Sequence, residues 1–176
     1  MIHYNDAIYL GEVGERGAKD EKLSDCLTET KKIRHGRGYM RYRNGRLYEG
    51  HWKDNKRDGK GYEQFANGNS YEGMYKEGKP DGQGTYKWVK REEQFSGLWY
   101  QGMKYGYGIW QRSNGDMYCG QWANSLMHGY GIFEHKEGNR YEGEFVDGLK
   151  EGQGSEIFAD GESYYVGEFK SGRFHG

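Results

Sequence analysis

From Tyr48 onward, apolar and polar residues alternate in short bursts. Tyr48, Gly50 and Trp52 alternate with Glu49 and His51, the period of a strand with one buried face. The burst returns as Tyr71-Glu72-Gly73-Met74-Tyr75, Phe95-Ser96-Gly97-Leu98-Trp99 and Tyr118-Cys119-Gly120-Gln121-Trp122. Tyr141-Glu142-Gly143-Glu144-Phe145 and Tyr165-Val166-Gly167-Glu168-Phe169 complete the series, and Tyr9-Leu10-Gly11-Glu12-Val13 is a weaker first copy. From Tyr48 the starts lie 23, 24, 23, 23 and 24 residues apart. Two more glycines follow eleven and thirteen residues after each start from Tyr48 to Tyr141, as at Gly59 and Gly61.

Each unit reads as a β-hairpin. The Tyr-x-Gly-x-Trp strand leads into a turn at Asp54-Asn55-Lys56-Arg57-Asp58, and Gly59–Phe65 returns. Asn67-Gly68 then turns the chain into the next hairpin. The pattern predicts an all-β fold: a single-layer, elongated meander of antiparallel hairpins. It makes residues 1–176 one array, with repeats starting near 9, 48, 71, 95, 118 and 141 and a partial one at 165.

Composition sharpens this picture. Of 31 glycines, 29 fall in register, and 13 of the 14 outer positions of Tyr-x-Gly-x-Trp are aromatic. Glycine weakens a strand unless a neighbouring ring covers the gap, and here every glycine has rings nearby in the repeat.

Tyr-x-Gly-x-Trp, turn, Gly-x-Gly, Asn-Gly resembles the MORN repeat (membrane occupation and recognition nexus), firmly over about residues 34–176 and loosely over 1–33. Proteins of that family include radial spoke head components of cilia, junctophilins and basal cytoskeletal proteins of protist parasites. Similar arrays precede catalytic domains in a histone lysine methyltransferase and in plant phosphatidylinositol phosphate kinases. The resemblance implies a twisted single-layer sheet and an aromatic-lined groove that receives a partner segment, a peptide or a helix. On this reading Trp52, Tyr75, Trp99, Trp122 and Phe145 line the groove.

Several features depart from the repeat. In the first copy the glycine pair falls at Gly36 and Gly38 instead of 20 and 22, so sixteen residues are inserted within 14–33. Leu23, Leu27 and Thr30 are spaced for a short helix; an ordered loop is the other reading. The last copy stops at His175-Gly176 before its returning strand. That marks either a piece of a longer protein or an edge capped by a partner, with a homo-oligomer through the open C-terminal edge as one form of capping. At the eighth residue after each start, Lys56 and Lys79 give way to Met103, Leu126 and Leu149, with Met127 beside Leu126. Three apolar residues in one register predict a docking seam along the hairpin edge.

The net charge is −1, but residues 31–60 sum to +8 and residues 116–168 to −8. Lys31, Lys32, Arg34, Arg37, Arg41, Arg43, Lys56 and Arg57 are the candidate contacts to anionic lipid. Five such residues at ~1 kcal/mol each give weak attachment, insufficient as a sole anchor. The neutral total argues against a nucleic-acid binder. Two cysteines and an N-terminus lacking a signal-peptide core point to a reducing, cytoplasmic compartment.

No metal set, cofactor or catalytic constellation is expected. His35, His128 and His175 share a register position, but two hairpins separate His128 from His175 by about 19 Å. The Gly-x-Gly pairs precede no helix, and no Gly-x-Ser-x-Gly, Cys-x-x-Cys or His-Glu-x-x-His occurs. The expected function is a non-catalytic adapter that binds protein partners, subunits of a cytoskeletal or ciliary complex, through the aromatic groove and hairpin edge. Two alternatives stand beside it: attachment to anionic membranes, and a regulatory module of an enzyme encoded beyond residue 176.

Overall fold

The computed structural model describes residues 2–3, 6–16 and 31–176. They form one antiparallel sheet of fifteen strands in which each pairs only with its neighbours in sequence. β1 (Ile2–His3), β2 (Ala7–Arg16), β3 (Lys31–Tyr42), β4 (Leu47–Lys53), β5 (Lys56–Gln64), β6 (Ser70–Lys76) and β7 (Lys79–Trp88) come first. A 3-10 turn at Val89–Arg91 leads to β8 (Glu93–Tyr100), β9 (Met103–Arg112), β10 (Met117–Ala123) and β11 (Leu126–Glu134). β12 (Arg140–Val146), β13 (Leu149–Ile157), β14 (Tyr164–Lys170) and β15 (Arg173–His175) complete the meander. The all-β single-layer array read from the sequence is the observed architecture.

The hairpin turns are tighter than the sequence suggests. Between β4 and β5 only Asp54 and Asn55 turn, at φ 49° and 68°. Lys56, Arg57 and Asp58 therefore belong to the returning strand. Two-residue turns with both φ positive match the right-handed twist of the flanking strands, which extends the pairing to the tip. The slack is taken up by a bulge: Gly50 pairs with Gly61 and Trp52 with Arg57, so three residues of β5 oppose His51. Gly59 in that bulge has φ 91°, which an L side chain rarely adopts.

A second glycine series crosses the sheet in one line. Pairing runs from Gly11 through Gly38, Gly50 and Gly61, strand by strand, to Gly154 and Gly167. A Cβ at Gly120 would stand 2.6 Å from Gly131 Cα, and one at Gly131 would stand 2.4 Å from the Tyr118 hydroxyl. The first ring of each repeat thus lies across bare backbone of its own hairpin. Where that ring is a tyrosine, as everywhere but Phe95, its hydroxyl donates to the carbonyl three residues on, as Tyr118 does to Gln121 at 2.9 Å. The second ring packs edge-on between two first rings. Trp122 lies 5.2 Å from Tyr118 and 5.0 Å from Phe95, centroid to centroid. Such contacts are worth about 0.5–1.5 kcal/mol each beyond burial. The core is therefore a zipper of rings on one face of one layer.

The first hairpin is longer than its siblings. Gly14, Glu15 and Arg16 pair with Ile33, Lys32 and Lys31, so both ends of the expected 14–33 insertion continue the ladder. The helix considered over Leu23, Leu27 and Thr30 lies outside the described residues. At the other end, Arg173–His175 pairs with β14. The final hairpin thus carries three residues of the returning strand that the sequence reading denied it.

Candidate functional site

The ring face is closed over its two ring series, whereas Tyr42, Phe65, Tyr86, Trp88, Trp110 and Phe133 beside them stay half-buried. The residues expected to line an aromatic groove form the core: Trp52, Tyr75, Trp99, Trp122 and Phe145 are all buried. Because each lies between two first rings, little of it is left for a partner. The tryptophan N–H groups are also engaged, with Trp122 Nε1 donating to the Gly108 carbonyl at 3.1 Å and Trp99 Nε1 to the Gly84 carbonyl at 3.0 Å.

Cations cap this ring layer at one register. The Arg57 guanidinium lies 5.5 Å from both the Tyr48 and Tyr75 rings and pairs with Glu63, which is 2% exposed. Arg46 also pairs with Glu63, and the Tyr75 hydroxyl donates to it at 2.9 Å. Burial, and then the Glu63 charge, push the Tyr75 pKa well above its usual value. Lys150 sits 4.7 Å from the Tyr141 ring and pairs with Glu156 at 2.7 Å. Lys104 occupies the same place in its repeat, 3.9 Å from the Trp122 ring centroid. There the glutamate position is Trp110, and burial pulls the lysine pKa down to about 8.

The opposite face is open. Its side chains stand in rows beside the glycine line. Over β2–β5 the glycines floor a shallow depression of about 550 Å³ rimmed by Arg37, Tyr39, Glu49, His51 and Lys60. A second depression of about 500 Å³ shares Lys60 and Glu72 with the first and continues over Gly73, Gly84 and Gly97. Beyond it the face turns apolar: Ile109 pairs with Cys119 and Cys119 with Ile132. Tyr107 and Tyr130 stand beside them, 65% and 52% exposed. In the row after each glycine line, Arg37, His51 and Lys60 occupy one end and Glu144 and Glu168 the other.

The hairpin edge has the character read from the sequence. Met103, Leu126 and Leu149 open their strands directly after the tight turns and are exposed, with exposed Tyr100 and Val146 opposite two of them. Met127 differs: it is half-buried against the ring core.

The candidate lipid contacts are not on one surface. Arg34 and Arg57 are on the ring face, Arg34 with its guanidinium 4.5 Å from the Trp52 ring centroid. Lys56 pairs with Glu77. Arg37 and Arg41 are exposed on the open face, and Lys32 and Arg43 are exposed elsewhere. The side chain of Lys31 lies outside the described residues. Among the described residues no group of three or more His, Cys, Asp or Glu could hold a metal ion, and no helix is long and apolar enough to cross a membrane.

Sequence reasoning missed the open face as a site. Its rows repeat a residue type only in part, as at Glu49, Glu72 and Glu142, and only the pairing register brings Ile109, Cys119 and Ile132 together.

A family model described as the MORN repeat matches residues 31–45, 48–70, 71–91, 95–117, 118–140, 141–163 and 165–176. No curated protein matches the chain. Among solved structures it is similar to the TCP domain of Drosophila melanogaster SAS-4 (dCPAP), in complex with a proline-rich motif of Ana2 (dSTIL). That match has 14% identity and TM-score 0.49 over 88% of this chain and 76% of the other. It is also similar to the TCP10 domain of Danio rerio CPAP, in complex with a peptide of STIL: 15% identity and TM-score 0.38 over 88% and 68%.

Proposed function

The chain belongs to the MORN-repeat family, and on that premise we propose that it is a non-catalytic scaffold whose open face docks protein partners. The observation that carries this is the division of labour between the faces. The two ring series of the ring face satisfy themselves, with Trp52, Trp99 and Trp122 buried and their indole N–H groups bonded. The open face leaves Tyr107, Ile109 and Tyr130 exposed beside a glycine-floored groove. Exposed aromatic and aliphatic side chains next to such a groove suit anchoring of a partner segment, with flanking charge setting its orientation. The edge row of Met103, Leu126 and Leu149 is a second contact for the same assembly. A cytoskeletal or ciliary complex is the setting this reading favours, since a rigid elongated platform suits repetitive structures.

The test is capture of partners from a native extract by the wild-type chain and by a triple variant, Tyr107→Lys, Ile109→Lys and Ile132→Lys. Loss of specific partners with an unchanged melting temperature is expected. Unchanged capture by the folded variant would remove the open face as the docking surface.

A further inference from the structure

The open face is self-complementary, and we propose that it docks face to face on a second copy of this chain. The two arrays run antiparallel about a two-fold axis parallel to the strands, placed between β8 and β9. The proposal rests on the open face being the docking surface. Such an axis sets β3 over β14 of the second copy, β5 over β12 and β8 over β9. In the row after the glycine line, Arg37 then comes opposite Glu168 and Lys60 opposite Glu144. Between these charged ends Met74 meets Tyr130, Gln83 meets Gln121 and Leu98 meets Tyr107. Symmetry repeats every contact, so each charge pair occurs twice.

The flanking rows obey the same axis. On one side Tyr39 meets Val166 and Tyr62 meets Glu142. One row further out on that side Leu47 meets Ile157 and Arg41 meets Tyr164. In none of the three rows does a charge face its like. A face running roughly 53 Å across strands β3–β14 and about 15 Å along them offers on the order of 800 Å² per copy, the size of a specific interface. The opposed net charges of residues 31–60 and 116–168 favour the antiparallel arrangement over the parallel one.

Sedimentation equilibrium of the full chain is the test, with two variants: Arg37→Glu with Lys60→Glu, and Glu144→Lys with Glu168→Lys. The wild type is expected to dimerise, more weakly as salt rises. Each variant alone sets like charges against each other and should self-associate at least about tenfold more weakly. Mixed together, the two regain complementary charges at every one of these positions, so the mixture should dimerise like the wild type. That rescue also shows that both variants are folded. A monomeric wild type, or a mixture no better than its parts, overturns the self-docking. If the chain is monomeric and the lysine triple variant still loses its captured partners, self-docking falls while the docking-face reading stands.

Discussion

On the ring face a ring returns at two fixed places in nearly every repeat, and Trp52, Trp99 and Trp122 are each less than a tenth exposed. On the open face of the same strands no residue type holds a register in most repeats, glutamate returning only at Glu49, Glu72 and Glu142, and Tyr107 stands 65% exposed. The two faces alternate along every strand, so the difference is one of side-chain parity alone. What repeats is what the fold needs: ring, bare backbone, ring. What varies is the surface that the proposed docking would use.

The largest effects are expected where the ring face is broken. Trp122→Ala should cost about 3–5 kcal/mol, because it leaves a hole between Tyr118 and Phe95. Gly120→Ala should also destabilise severely, since its Cβ would meet the Gly131 backbone. Thermal or denaturant unfolding measures both. An open-face docking role alone would let either variant melt like the wild type.

Within the ring face the capping cations should divide. Arg57→Met leaves Glu63 buried with Arg46 and Tyr75 as its remaining partners, a loss of roughly 2–4 kcal/mol. Lys104→Met replaces a cation that lies among rings without the glutamate its counterparts have, so stability should hold or rise. Denaturant midpoints at pH 7 distinguish the two.

The pH dependence follows from the same contrast. The Lys104 pKa falls from 10.5 unfolded to about 8 folded. Between those values the unfolded chain binds more protons, so this lysine makes stability rise with pH. Tyr48, Tyr71 and Tyr75 act oppositely above pH 10, because burial raises their folded pKa values above the unfolded 10.0 and their stabilisation is lost as pH climbs. From pH 7.5 to 9.5 the wild type should therefore gain stability relative to Lys104→Met. Melting curves over that window check it, and parallel curves would contradict the assigned burial.

The smallest stability effect belongs to the open face. Ile109→Lys should change stability by no more than about 0.5 kcal/mol. A large loss would mean that this face is packed rather than available.

Much of the fold was legible because its requirements are periodic. Tyr48, Gly50 and Trp52 at alternate positions state both the strand and its buried side, and the 23- or 24-residue return states the meander. The turn was misjudged because Lys56, Arg57 and Asp58 look like turn residues, whereas the twist favours two residues and a glycine bulge. The site was harder to read. Exposed anchors and core rings have the same composition, and only their packing shows that Trp99 and Trp122 are enclosed. Glu63 gave no hint of burial; its arginine partners lie seventeen and six residues away. Ile109, Cys119 and Ile132 become neighbours only through strand register.

Hydroxyl-radical footprinting of the native chain tests the division between the faces most directly. At a dilution that keeps the chain monomeric, Tyr107 and Tyr130 should oxidise quickly, while Tyr118, Trp99 and Trp122 stay protected until the chain unfolds. Oxidation of Trp99 and Trp122 as fast as Tyr107 would mean that the ring face is the open one.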